Sequence, residues 1–394
     1  MLAERILRIS EPLIDTLARR ARVLTARGAN IVNLGQAIPG DAAPRQALAA
    51  ARRALRRPDV NVYTPDAGIA ELRHATAAWI ARHDGVRIDP DRQLIITAGA
   101  NQALMLALQC CTDAGDRVLL PTPYFMNHEM AVRLVDAVPI EVPTTADEGW
   151  VITSRRLFKG DTGRAARRKT LKAVIITTPS NPTGAVVPRQ EIDRIAKQCA
   201  SRGMFLILDR TYAGFEFDGT SHVAPSHVAR GRLPENVVLV GSFSKVFSMT
   251  GWRVGYLAGP PTLIREALKA QDTTIICAPA ISQVAVHAAL EARRGVTPAY
   301  LRDLRRRRDY VQERLASMPG WSAVPAAGGF FTFIRIDGMK DSIAFASRLL
   351  ERAHVLMLPG RIFGEAGEGH IRLSYGVADV ARLEVAFDRL HRIP

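Results

Sequence analysis

Short apolar runs, spaced by amphipathic stretches, set the rhythm of the middle of this chain. The runs over 93–98, 117–120, 137–142, 173–177, 205–209, 237–241 and 254–258 are rich in Val, Ile and Leu and too brief for helices, so each predicts a β-strand. Between them, 102–111 and 191–200 carry apolar residues at helical spacing. Strands that are apolar throughout are buried on both faces, and their alternation with helices predicts a mostly parallel sheet covered on each side. The expected fold is α/β, with a three-layer large domain.

Past residue 279 the rhythm changes. A long amphipathic helix is expected over 300–317, a strand over 329–336 and another helix over 343–353. At the other end, 1–28 sets Ile6, Ile9, Leu13, Ile14 and Leu17 among charged residues and reads as one amphipathic helix, before the turn-rich 33–44. Both ends together predict a smaller α+β domain from 1–45 and 286–394, flanking a large domain over 46–285.

Composition narrows the class. At 394 residues, 47% hydrophobic and 23% charged, the chain is an ordinary globular protein with a large core. It contains no uninterrupted apolar stretch of about 18 residues and no apolar leader block, so no membrane partner is expected. The net charge of +15 raises nucleic acid as a partner. The basic residues are scattered, however, and the one run, Arg305 to Arg308, shares a helical pattern with Leu301, Leu304 and Tyr310 and reads as a solvated face. No nucleic-acid partner is expected. Cys110, Cys111, Cys199 and Cys277 have neither metal-ligand nor CxxC spacing, which points to no metal and to a reducing, cytoplasmic compartment.

The candidate chemistry lies just after the strands, where open parallel sheets place their ligands. The strand over 93–98 runs through Gly99, Ala100 and Asn101 into a helix, whose first N–H groups suit a phosphate. The strand over 205–209 ends at Asp209. The strand over 237–241 runs into Ser242-Phe243-Ser244-Lys245, with Arg253 beyond. A carboxylate keeps a pyridine nitrogen protonated, a lysine forms an imine, and arginine with hydroxyls holds a phosphate. Those are the needs of pyridoxal 5'-phosphate (PLP) chemistry. Taken singly, each residue would pass for a surface ion pair or a turn.

The motifs extend along the chain: Tyr63-Thr64-Pro65 with Gly68, Leu72 and Arg73; TAGANQAL over 97–104; PTPYF over 121–125; PSNPTG over 179–184; Asp209-x-x-Tyr212; SFSK over 242–245; Gly251-Trp252-Arg253-x-Gly255-Tyr256; and Arg372-x-Ser374. In order and spacing this set resembles the class I/II aminotransferases among the fold-type I PLP enzymes, over about residues 33–375. The resemblance implies an enzyme that moves the amino group of an L-amino acid to a 2-oxo acid by a ping-pong Schiff-base mechanism. It implies that Lys245 is the Schiff-base lysine and proton shuttle, that Asp209 pairs with the pyridine nitrogen, and that Tyr212 and Asn181 bond the phenolic oxygen. Tyr124 would stack on the ring. Gly99, Ala100, Asn101, Ser242, Ser244 and Arg253 would form the phosphate end, with Tyr63 reaching in from the partner of a homodimer. Arg372 would clamp the substrate carboxylate as a bidentate pair, beside Asn181 and the 38–40 segment with Ile38 and Gly40.

Two positions depart from the family pattern. Asn101 stands where many bacterial aspartate aminotransferases have a lysine for the distal carboxylate, which counts against aspartate and leaves aromatic, neutral or basic amino acids open. Arg210 follows Asp209 where the family commonly has an acidic or small residue. The same cofactor frame also supports cyclisation, elimination or oxidation. Ser242-x-x-Lys245 matches the S-x-x-K signature of serine hydrolases, but the companion SDN and KTG motifs are absent. No G-x-G-x-x-G follows a strand, which removes the dinucleotide-binding reading.

Overall fold

The computed structural model describes residues 2–9, 11, 13–159, 171–217, 231–292 and 295–393. Its largest sheet has seven strands: β1 (Leu94–Thr97), β2 (Arg117–Thr122), β3 (Val138–Pro143), β4 (Leu171–Thr177), β5 (Phe205–Asp209), β6 (Val237–Ser242) and β7 (Gly255–Ala258). They lie in the order β1-β7-β6-β5-β4-β2-β3. Neighbours pair in parallel from β6 to β3, and β7 runs antiparallel between β1 and β6. All seven expected strands are present.

Alternate residues of these strands enter two separate cores. Leu94, Ile96, Val174, Ile176, Leu206, Leu208 and Leu239 pack into one. Ile95, Val118, Ala173, Ile175, Ile207, Val238 and Leu257 pack into the other. Burial on both faces is why the strands read as continuous apolar runs, and it makes the three-layer α/β body the sequence predicts. The helix Ala100–Cys111 puts Ala103, Leu104, Ala107 and Leu108 into the second core.

A third core joins the two chain ends. Leu17 and Ala21 of the helix Leu13–Ala26 share it with Leu383, Ala386 and Phe387 of the helix Val380–Leu390. Val32–Asn33 pairs in parallel with Val355–Leu356. A four-stranded antiparallel sheet of Trp321–Ala323, Phe331–Ile336, His370–Ser374 and Leu358–Pro359 sets Arg372 opposite Phe333.

The expected helix over 300–317 runs from Pro298 to Ala316 and is capped by Thr297, whose Oγ1 accepts from the N–H of Tyr300. The N-terminal stretch departs from the expectation of one helix. It forms two, Glu4–Leu7 and Leu13–Ala26; Met1, Ser10 and Pro12 of the expected span lie outside the described residues. A proline at position 12 offers no N–H to an unbroken helix.

Candidate active site

Because β1, β2, β4, β5 and β6 run the same way, Thr97, Thr122, Thr177, Asp209 and Ser242 end at one edge of the sheet. A cavity of about 210 Å³ opens there. At one end is the start of the helix Ala100–Cys111. Gly99 precedes it with φ +86°, and no side chain caps its first turn.

Two glycines set this end. A Cβ on Gly99 would run into the guanidinium of Arg253. On Gly255 it would lie 2.6 Å from the Gly241 carbonyl oxygen and 2.9 Å from the Ala100 nitrogen. Strand β7 can therefore press against the helix start only without side chains there. Arg253, itself at φ 55°, donates to the carbonyls of Thr250 at 3.1 Å and Ala98 at 3.4 Å, and reaches Ser244 Oγ at 3.5 Å. Free helix N–H groups, a guanidinium and a serine hydroxyl thus face one corner, an arrangement that accepts a phosphate.

At the middle of the cavity stands Asp209. Its Oδ1 accepts from the N–H of Thr211 at 2.9 Å and from Thr211 Oγ1 at 2.6 Å, and its Oδ2 bonds His128 Nε2 at 3.0 Å. Burial raises a carboxyl, but the bonds from His128 and Thr211 outweigh it and hold Asp209 below its ordinary value. It is an anion inside the protein. Asn181 and Tyr212, both buried, line the same cavity.

Lys245 follows β6 on the short helix Phe243–Val246. Its Nζ donates to the Ala37 carbonyl at 2.5 Å, and no carboxylate pairs with it among the described residues. Burial first, then the charges of Arg372 and Arg253, pull the amine down from 10.5 to about 8. Ser242 Oγ is occupied as the cap of the same helix, accepting from the N–H of Ser244 at 3.1 Å. With Lys245 turned to Ala37, the Ser242–Lys245 pair is not engaged as nucleophile and base.

Arg372 lies beyond Asn181 with 1% of its surface exposed. One nitrogen donates to Asn181 Oδ1 at 2.9 Å and another to the Gly35 carbonyl, while Nε has no partner. Phe331 and Phe363 flank the guanidinium at 5.0 and 5.3 Å. No carboxylate pairs with it among the described residues, and burial lowers it to about 10. A buried cation without a counter-ion is an open anion site.

The sequence expectations fare unevenly in space. Ala100, Asn101, Asn181, Asp209, Tyr212, Ser242, Ser244, Lys245 and Arg253 meet at the cavity. Tyr124 does not line it: its hydroxyl donates to Glu141 at 2.8 Å, and of the two aromatics of PTPYF it is the next residue, Phe125, that stands on the cavity wall. Consecutive residues of an extended segment point opposite ways, and PTPYF offers two aromatics to choose between. Tyr63 is 76% exposed and is not among the residues that line this chain's cavity. Of the N-terminal segment, Ala37 reaches the cavity; Gly40 donates to Tyr300 Oη at 2.9 Å, and Gly376 packs against the Ile38 carbonyl. His128 and Thr211 escaped the sequence reading. His128 sits one turn after Phe125, a helix-entry spacing that alone says nothing of Asp209, 81 positions away.

Comparison with known proteins gives the family. A family profile described as aminotransferase class I and II matches residues 29–390. Aromatic-amino-acid aminotransferase 2 of Thermococcus litoralis is 33% identical over 92% of this chain and 91% of its own length. The aspartate/prephenate aminotransferase of Thermus thermophilus is 34% identical over 96% and 95%. The structure of Thermus thermophilus aspartate aminotransferase with maleate superposes with a TM-score of 0.90 at 32% identity, covering 100% of this chain and 99% of that one. On these matches, the chain belongs to the class I and II aminotransferases, a family of PLP-dependent enzymes.

Proposed function

We propose that this aminotransferase holds PLP on Lys245 and moves the amino group of an aromatic or neutral L-amino acid to a 2-oxo acid in a ping-pong exchange. One observation carries the reading: a desolvated lysine amine, with no carboxylate partner among the described residues, stands in one cavity with an ionised, buried Asp209 and an uncapped helix start. The residues fit the cofactor. Ala100, Asn101, Ser244 and Arg253 would take its phosphate against the glycine-lined helix start, with Ser242 beside them, and Tyr63 would reach in from the partner of a homodimer. Asp209 would meet the pyridine nitrogen, Asn181 and Tyr212 the phenolic oxygen, and Phe125 the ring face. When bound, PLP supplies a carbon that exchanges amines and a ring that accepts the electron pair released at the substrate's α-carbon.

The protein's own groups do the rest. Lys245, neutral in a good fraction near pH 8, serves as nucleophile and then carries the proton at its Nζ. Asp209, kept ionised by His128 and Thr211, can hold a positive ring nitrogen. Arg372 receives the substrate carboxylate beside Asn181, so the α-carbon faces Lys245. Phe331 and Phe363 keep water from that guanidinium. Asn101 is neutral, and Lys245 and Arg253 are the cavity's cationic side chains, which argues against a second carboxylate on the substrate. The separate four-stranded sheet supports a division into a large domain over 46–285 and a small one from 1–45 and 286–394. Four free cysteines suit a cytoplasmic location.

Borohydride reduction of the PLP-treated protein followed by peptide mapping tests the attachment; a label absent from Lys245 ends the reading. Single turnover with a panel of L-amino acids tests the reaction. Loss of the cofactor's visible band with release of a 2-oxo acid is expected for aromatic and neutral donors. Release of ammonia or a cyclic product instead would assign elimination or cyclisation, and fastest turnover of aspartate would overturn the substrate class.

A further inference from the structure

Arg210 is fully buried directly after Asp209, and its guanidinium is divided among three segments of chain. Nε donates to Asp84 Oδ1 at 2.6 Å, at the end of the helix Ala70–Asp84. Nη2 donates to Glu216 Oε1 at 3.1 Å, and Nη1 to the Thr178 carbonyl. The other oxygen of Glu216 accepts from the N–H of Gly214 at 2.7 Å. Thr178 opens the turn that carries Asn181, and its N–H returns to the Asp209 carbonyl at 3.2 Å. Gly214 closes the turn that carries Tyr212. Asp209, Asn181 and Tyr212, the three residues assigned above to the cofactor ring, therefore hang from segments that share one guanidinium.

Packing alone does not account for this group. Replacing a buried ion triad with apolar or neutral side chains of similar size is often neutral or even stabilising. What a guanidinium adds is a rigid planar fork, which fixes the angles between the groups it bonds. Burial disfavours the charge, but Asp84 and Glu216 more than compensate, so the fork stays charged.

We propose that Arg210 is a positioning residue for the cofactor ring: its fork to Asp84, Glu216 and Thr178 sets the spacing of Asp209, Asn181 and Tyr212. The inference rests on PLP binding at Lys245. Lysine at this position keeps the charge but cannot reach three segments in one plane.

The test is PLP affinity of the apo-protein, by absorbance titration, together with the pH midpoint of the bound cofactor's visible band. It compares wild type with Arg210→Lys and with the neutral triple variant Asp84→Asn, Arg210→Met, Glu216→Gln. Both are expected to lose about tenfold or more in affinity, by analogy with the loss when residues that orient the ligands of a metal are removed, and to shift the midpoint, while melting cooperatively. Cooperative melting with wild-type affinity and midpoint in either variant overturns the proposal. Glu216→Gln keeps the shape of the cluster and decides the matter if the other two do not fold: a shifted midpoint supports the role, an unchanged one overturns it. A wild type that takes up no PLP fails earlier, and its failure is that of the cofactor reading itself.

Discussion

Lys245 and Arg372 are both buried cations that no acid pairs with among the described residues, and each invites a measurement. In the unfolded chain the Lys245 amine titrates near 10.5, and in the fold near 8. Between those values the unfolded state holds more protons, so its contribution to stability climbs with pH. Below about pH 8 both states are protonated, and the desolvated charge costs on the order of 3 kcal/mol. The apo form of Lys245→Met is therefore expected to exceed wild type in stability at pH 7, with the gap closing between pH 8 and 10.5. Denaturant midpoints over that range check this, and a gap that does not change with pH rules out the depressed amine. For Arg372, substitution by Lys keeps a charge but loses the paired nitrogens that reach Asn181 and Gly35. A charged hydrogen bond lost there should raise the amino-acid KM by roughly tenfold to a hundredfold, with PLP affinity little changed. Steady-state kinetics showing an unaltered KM would remove Arg372 from the carboxylate site.

At the scale of elements, the site depends on a strand lying against a helix start. Gly255 allows it, because a Cβ there would lie 2.6 to 2.9 Å from the backbone of Gly241, Gly99 and Ala100. Gly255→Ala must push β7 off β6 or off the helix Ala100–Cys111. Overpacking of this kind costs about 1–3 kcal/mol, and the moved helix start should also weaken PLP binding. A variant with wild-type melting and wild-type PLP affinity would mean that the helix start tolerates displacement. The strands themselves were legible because burial on both faces leaves continuous apolar runs, as in Leu206, Ile207 and Leu208. That Phe125 rather than Tyr124 lines the cavity was not, since side-chain direction at a strand exit depends on the turn that follows. His128 was hidden for another reason: its partner is distant in sequence and met only through packing.

At the scale of the whole molecule, Tyr63 raises the question of a second copy. It is 76% exposed, next to Val62 at 63%, and Leu55 nearby is 67% exposed. Three large apolar side chains in water on one stretch suit an interface. Sedimentation equilibrium should find twice the chain mass, and Tyr63→Phe should weaken PLP binding if the partner's tyrosine completes the phosphate end. A monomer of full activity would refute the shared site. The sequence alone determined the strand and helix rhythm, the family motifs, and the strand-end positions of Asp209, Ser242 and Lys245, because periodicity and local chemistry are written in neighbouring residues. Only the tertiary structure decided that Asp209 leans on His128, that Lys245 turns to Ala37, that Arg372 reaches Asn181 and Gly35, and that Arg210 joins three segments. Apart from the Arg210–Glu216 bond, six positions apart, these contacts join residues tens to hundreds of positions apart, and they exist only once the chain has closed around its cores.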